Sequence, residues 1–181
     1  MLKQQFDQKI KKELWQKLGK CNINALPKLQ KVVINCRVPN AKESKETLSS
    51  AQMELMAITG QKPKLCRAKK SEAGFKLRQG DPLAYKITLR AGKMFDFVEK
   101  LFNLVLPRLR DFRGLSTKSF DSSANYNLTI KDQTYFPEVD LDKVGQIRSI
   151  QATFVTDTSS KKEAKMLLSA LGLPFKKDLE I

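Results

Sequence analysis

Three short segments, YKITLRA at 85–91, YNLTIK at 126–131 and IQATFV at 150–155, alternate apolar and polar residues with a period of two. Successive side chains of a β-strand leave opposite sides of a sheet, so this alternation buries one face and leaves the other uncovered. Tyr85, Ile87, Leu89 and Ala91 point one way, and Lys86, Thr88 and Arg90 the other. Taken over the three segments, the outward set is Lys86, Thr88, Arg90, Asn127, Thr129, Lys131, Gln151 and Thr153, with no carboxylate among them. A solvated sheet face is the plain reading of such a set. Cations and hydrogen-bonding side chains without acids equally suit a face covered by phosphate and ribose.

Helix-period segments surround the strands. FDQKIKKELWQKLG carries Phe6, Ile10, Leu14 (with Trp15) and Leu18 on one stripe and closes at Gly19. LQKVVINC is short, β-branched and follows Pro27, which predicts a further strand. In KESKETLSSAQMELMAITG the inward row is Leu48, Ala51, Leu55 and Ile58, with Gly60 as the stop. KMFDFVEKLFNLVLP turns Met94, Phe97, Val98, Leu101 and Val105 inward and ends at Pro107. Ser160 and Glu163 form the pattern of a capping box ahead of Ala164, Leu167, Leu168 and Leu171, with Gly172 and Pro174 behind. Helices and alternating strands mix without a strict βαβ rhythm. The predicted class is α+β, a mainly antiparallel sheet with helices packed on one face. Its length of 181 residues suits a single domain spanning 1–181.

Charge narrows the partners. Lys and Arg total 34 against 19 acids, a net charge of +15. Between Lys62 and Lys118 stand 15 cations and five carboxylates, so two thirds of the excess lies in the middle third of the chain. Such asymmetry predicts a dedicated face for a polyanion, with an anionic membrane surface second. Histidine is absent, which removes the commonest general base and the usual partner of Ser and Cys nucleophiles. Cys21, Cys36 and Cys66 share no metal-binding spacing, so neither metal nor cofactor is expected, and reduced thiols fit a reducing compartment. No apolar run reaches the roughly 18 residues of a membrane span. Charges every few residues at the N-terminus do not resemble a secretory signal.

Three stretches could hold phosphate. In TGQKPKLCRAKK, Gln61, Lys62 and Lys64 follow the helix stop beside a stiffening proline, and Arg67, Lys69 and Lys70 extend the charge. The next stretch, SEAGFKLRQGDP, adds Ser71, Gly74, Phe75, Lys76 and Arg78 and predicts a basic loop projecting at about 69–82. Its glycines permit close backbone approach, and Phe75 either packs back on the domain or is presented to a base. In PRLRDFRGLSTKSFDSSANY, Arg108, Arg110 and Arg113 flank Asp111, either as phosphate forks or paired with that acid. No Walker loop, GxGxxG or acid–base pair is present.

TGQKP at 59–63, AGFKLRQG at 73–80, TLR at 88–90, PRLRDFRGLSTKSFD at 107–121, NY at 125–126 and FPE at 136–138 follow in order. Together they resemble the family of the fifth large-subunit ribosomal protein, of the bacterial or organellar kind, over nearly the whole chain. That resemblance implies a sheet of about five strands, no enzymatic activity, and a place in the central protuberance bound to 5S rRNA and large-subunit rRNA. Asn35, Gln61 and Thr88 match the family's RNA-contacting cluster, and Thr88 lies on the polar face deduced from alternation. The AGFK loop would reach the elbow of the peptidyl-site tRNA through Lys69, Lys70, Ser71, Gly74, Phe75, Lys76 and Arg78. A contact with the small subunit's thirteenth protein is also implied, and the ribosome would be that of a plastid, a mitochondrion or the bacterial cytoplasm.

Two departures stand out. Ser122, Ser123 and Ala124 occupy the place of the family's usual Gly-Arg-Gly, which removes a cation. After Asn35 the chain has Cys36, Arg37, Val38 and Pro39 instead of a glycine turn, and Arg37 is expected to add a compensating phosphate contact. Two other classes of function compete with rRNA binding: a basic adaptor for an anionic membrane or acidic protein, and an RNA-modifying enzyme.

Overall fold

The structure, a computed structural model, describes residues 2–20, 22–39, 41, 44–110, 112–140 and 144–176. Five strands, β1 (Leu29–Arg37), β2 (Lys64–Arg67), β3 (Pro82–Leu89), β4 (Tyr126–Ile130) and β5 (Ile150–Thr156), form one antiparallel sheet. Their order is β2-β3-β1-β5-β4. The α+β class is as expected. By contacts the chain divides into two compact units, one of Met1–Val32, Arg90–Leu128 and Thr153–Ile181, the other of Val33–Leu89 and Thr129–Ala152.

The first unit holds most of the helices. Its N-terminal helix runs as α1 (Leu2–Gln5), a π turn (Phe6–Ile10) and α2 (Lys11–Leu18). Next come α4 (Ala91–Lys100), a second π turn (Leu101–Val105), α5 (Leu106–Arg108) and, near the C-terminus, α6 (Lys161–Ala170). Of the three apolar rows predicted for this unit, Met94 to Val105 and Ala164 to Leu171 are buried, as are Phe6, Ile10 and Leu14, while Leu18 is half-buried. Phe6 meets Phe95, and Phe102 meets Phe154, each at 5.7 Å between ring centroids.

Three expectations fail in this unit. Trp15 is 43% exposed, because one residue past Leu14 the helix has turned by about 100° away from the core. Ala91 is not the last strand residue; it starts α4, exposed, with φ at +50°. The capping box does not form either: Ser160 makes no side-chain cap bond. Glu163 instead accepts from Lys20 Nζ at 2.8 Å and Thr158 Oγ1 at 2.9 Å. The Lys20 bond holds its carboxyl below the usual range against an opposing effect of burial, and an ammonium is a stronger donor than a neutral backbone N–H.

Gly114 fixes the C-terminal tail of this unit. Leu115 N donates to Pro174 O, and Lys176 N to Leu115 O, both at 2.9 Å. A Cβ on Gly114 would sit 2.9 Å from the backbone nitrogen of Lys176, and φ there is +89°. Gly114→Ala should therefore cost about 2 kcal/mol in urea unfolding, from backbone strain together with the displaced tail. A loss below about 0.5 kcal/mol would show that the tail yields freely.

The second unit contains α3 (Lys45–Thr59), capped by the Ser44 side chain and closed by Gly60 at φ +62°. Ala51, Leu55 and Ile58 are buried as expected, while Leu48 is half-buried. Beneath this helix lies a charged network that no local pattern announces. Arg148 Nη1 contacts both carboxylate oxygens of Glu54, at 2.7 and 2.8 Å. Gln133 Nε2 donates to Gln146 O at 2.7 Å, and its Oε1 accepts from the backbone N–H of Arg148. Burial pushes the Cys36 thiol up to about 11, with the Arg148 guanidinium opposing and Glu54 reinforcing the rise. Cys36 is thus a neutral, apolar-like filler at physiological pH. Among the described residues no helix is long and apolar enough to cross a membrane, and no metal-ligand cluster occurs. Cys21 lies outside the described residues.

Candidate nucleic-acid interface

Strand β3 realises the predicted alternation. Tyr85, Ile87 and Leu89 are buried, Thr88 is half-buried and Lys86 is exposed. Tyr85 anchors the inner side, its hydroxyl donating to Leu48 O at 3.2 Å, and burial raises its pKa. Arg90, one residue past the strand, is exposed at the N-cap of α4. Strand β1 alternates in the same sense. Ile34 and Cys36 are buried, Asn35 is half-buried and Arg37 exposed.

The pairing of β2 with β3 sets Lys64 opposite Lys86, Leu65 opposite Tyr85 and Cys66 opposite Ala84, before a bulge at Cys66/Arg67. Directly paired residues leave the same side of an antiparallel ladder, so two exposed ammonium groups stand side by side. Like charges so placed destabilise a strand pair unless an anion lies against them. Lys62 and Arg67 are exposed on either side of this pair in the chain.

Gln61 joins the same set through its turn. Gly60 ends α3 in the left-handed conformation, and Thr59 Oγ1 braces the turn by donating to Leu55 O at 2.6 Å. The Gln61 side chain then reaches β3, Nε2 donating to Thr88 O at 3.4 Å. Gln61 and Thr88, 27 residues apart, are thereby brought together.

The remaining outward residues divide between strands. Thr153 Oγ1 donates to Asn127 Oδ1 at 2.7 Å, so the Asn127 carbonyl is engaged while its amide hydrogens stay available. Thr129, Lys131 and Gln151 are exposed.

The basic loop is a small closed finger. At its root Ala68 N donates to Asp81 O at 2.9 Å, Gly80 N to Ala68 O at 3.0 Å and Arg67 Nη1 to Gly80 O at 3.0 Å. Further out, Glu72 and Leu77 exchange two backbone bonds of 2.9 and 3.0 Å. A 3-10 turn over Ala73–Phe75 forms the tip, with Lys76 at φ +51°. Phe75 is 83% exposed, so it is presented and does not pack back. A Cβ on Gly74 would meet nothing within 4 Å, so the fold itself does not demand a bare backbone at the tip. Lys69, Lys70, Lys76 and Arg78 are exposed along the finger, and the Ser71 hydroxyl accepts from Gln79 N at 2.9 Å. Asp81 was not singled out from sequence, yet its carboxylate accepts from Arg78 N at 2.9 Å and helps to close the root. Its place after Gly80 and before Pro82, a turn signature, was the signal available.

In the arginine-rich stretch, Arg108, Arg110 and Arg113 are all exposed. Their suggested partner Asp111 lies outside the described residues. Downstream, the Asp121 carboxylate accepts from Ser123 N, Asn125 N and Asn125 Nδ2 at 2.8–2.9 Å. Burial works against its ionisation, but those bonds, with Lys161 nearby, hold it below the usual carboxylate range. Ala124 sits in this turn fully buried at φ +58°. It keeps the left-handed backbone that a glycine adopts freely.

Two sequence profiles match the chain, one described as ribosomal protein L5 over residues 22–78 and the other as the C-terminus of the same ribosomal family over 82–175. Among curated proteins, the large ribosomal subunit protein uL5 of Clostridium acetobutylicum is 48% identical over 174 residues, covering 96% of this chain and 97% of the relative. Its counterpart in Caldanaerobacter subterraneus subsp. tengcongensis is 46% identical over 176 residues, covering 97% and 98%. The one in Carboxydothermus hydrogenoformans is 44% identical over 174 residues, covering 96% and 97%.

Proposed function

The chain belongs to the ribosomal protein L5 family, and from that premise we propose that it binds 5S rRNA through the uncovered side of β1 and β3 with the Gln61 turn. It is a structural, non-enzymatic constituent of the large ribosomal subunit with rRNA as its partner, and its relatives place it in the bacterial cytoplasm. On this reading Asn35, Gln61 and Thr88 offer hydrogen bonds at β1 and β3, and the Asn127 amide and Thr129 offer others on β4. Arg37, Lys62, Lys64, Arg67, Lys86 and Arg90 take phosphates. The finger carries Lys69, Lys70, Phe75 and Arg78 to the elbow of the peptidyl-site tRNA. Across the subunit interface the family contact is the thirteenth small-subunit protein.

The observation that carries the reading is the junction of Gln61 with Thr88 beside the opposed Lys64 and Lys86. Polar groups and uncompensated cations converge there without a carboxylate from the paired strands. Thr88→Val preserves strand preference and removes one hydroxyl, so it should weaken 5S rRNA binding about fivefold to tenfold with an unchanged far-ultraviolet spectrum. Sedimentation of the tagged chain with large subunits is expected. Unaltered affinity in that variant, or preference for anionic vesicles over 5S rRNA at physiological salt, would count against this interface.

A further inference from the structure

The N-terminal helix carries a second arrangement that the sheet-face reading does not use. Trp15 is the one tryptophan of the chain. It is 43% exposed, yet its ring is not loose: Nε1 donates to Lys20 O at 2.5 Å. That bond exists because Gly19 ends α2 in the left-handed conformation and folds the next residue back over the last turn. The result is an aromatic plane pinned at its Nε1 edge and otherwise standing in solvent.

The exposed side chains of its helix are of one sign, with Glu13 half-buried and the Glu163 carboxylate already held by Lys20. Among the described side chains from Leu2 to Lys17, the exposed ones besides Trp15 are four lysines (Lys3, Lys9, Lys12, Lys17) and three glutamines, with no carboxylate. Lys12 lies one helical turn before Trp15, and so on the same side of α2. A held aromatic plane with cations along the helix and amides beside it is the combination that binds unpaired nucleotides. The plane stacks on a base, the lysines take the backbone, and the amides meet base edges. An acidic protein would use the lysines but has no need of a bare indole face.

We propose that the exposed side of the N-terminal helix is a second RNA-contact surface, in which Trp15 stacks on an unpaired nucleotide of ribosomal RNA. The proposal rests on the rRNA-binding reading for its partner, but uses none of the residues assigned to the sheet face.

The lone tryptophan reports its own site. Titrating the full chain with short oligoadenylate should quench the Trp15 emission, whereas inorganic polyphosphate should bind without quenching. Trp15→Leu should lower oligoadenylate affinity about tenfold, and Trp15→Phe should retain most of it. Circular dichroism establishes that each variant is folded. Oligoadenylate retained on a filter without a change in emission would overturn the stacking site, as would equal quenching by polyphosphate or polyglutamate. Failure of 5S rRNA to bind while quenching persists would instead remove the sheet-face interface and leave this one standing.

Discussion

Raising monovalent salt from about 50 to about 200 mM is expected to weaken 5S rRNA binding by roughly 10³-fold. The magnitude follows from the exposed cations assigned to 5S rRNA: Arg37, Lys62, Lys64, Arg67, Lys86 and Arg90. If about six of them each release one condensed counterion, the logarithm of affinity falls with the logarithm of salt at a slope of about −4 to −5. Lys64 and Lys86 should contribute most, since their mutual repulsion in the unbound chain is relieved when a phosphate enters between them. Fluorescence anisotropy with labelled 5S rRNA across a salt series measures the slope. A value shallower than about −2 would mean that most of these cations stay hydrated in the complex.

Glu54→Ala should destabilise the protein by about 3–5 kcal/mol, lowering the midpoint of thermal unfolding by about 10 °C. Arg148 is 3% exposed, and Glu54 supplies both of the short bonds to its Nη1. Removing the carboxylate leaves a guanidinium in a site that water does not reach, with Nε already lacking a hydrogen-bond partner. Cys36 would lose the acid that reinforces its raised pKa and face an unopposed cation. Replacing both partners, as Glu54→Leu with Arg148→Met, should recover most of the loss, because a paired buried charge is worth little over well-packed apolar groups. Calorimetry of the single and double variants settles the point. A single variant as stable as the parent would show that solvent enters the site.

The outward face of the sheet was legible because alternation is a local property. Lys86 and Thr88 are each flanked by residues that must go inside, and the strand period leaves no other choice, whereas Arg90 lies past the strand beside the exposed Ala91. The helices were legible for the same reason, from apolar rows such as Met94 to Val105 and stops such as Gly19 and Gly60. What escaped lies in contacts between distant residues. Glu54 and Arg148 are 94 positions apart, and nothing near either one marks it for burial. Glu163 looked like a capping residue because the pattern is local, but Lys20, 143 positions away, offers the stronger partner. Phe75 was undecided for a related reason: whether a loop aromatic packs back depends on the surface beneath it. Asn127 shows the converse, a residue rightly placed outward whose carbonyl is already engaged by Thr153.

The finger beyond β2 and β3 is cross-braced by its own backbone at Glu72 and Leu77 and clamped where it leaves the sheet. A projection built this way behaves as a strut, not a tether. A ligand bound at Phe75 would therefore load Arg67 and Asp81 at the base, the residues that join the finger to the two strands carrying Lys64 and Lys86.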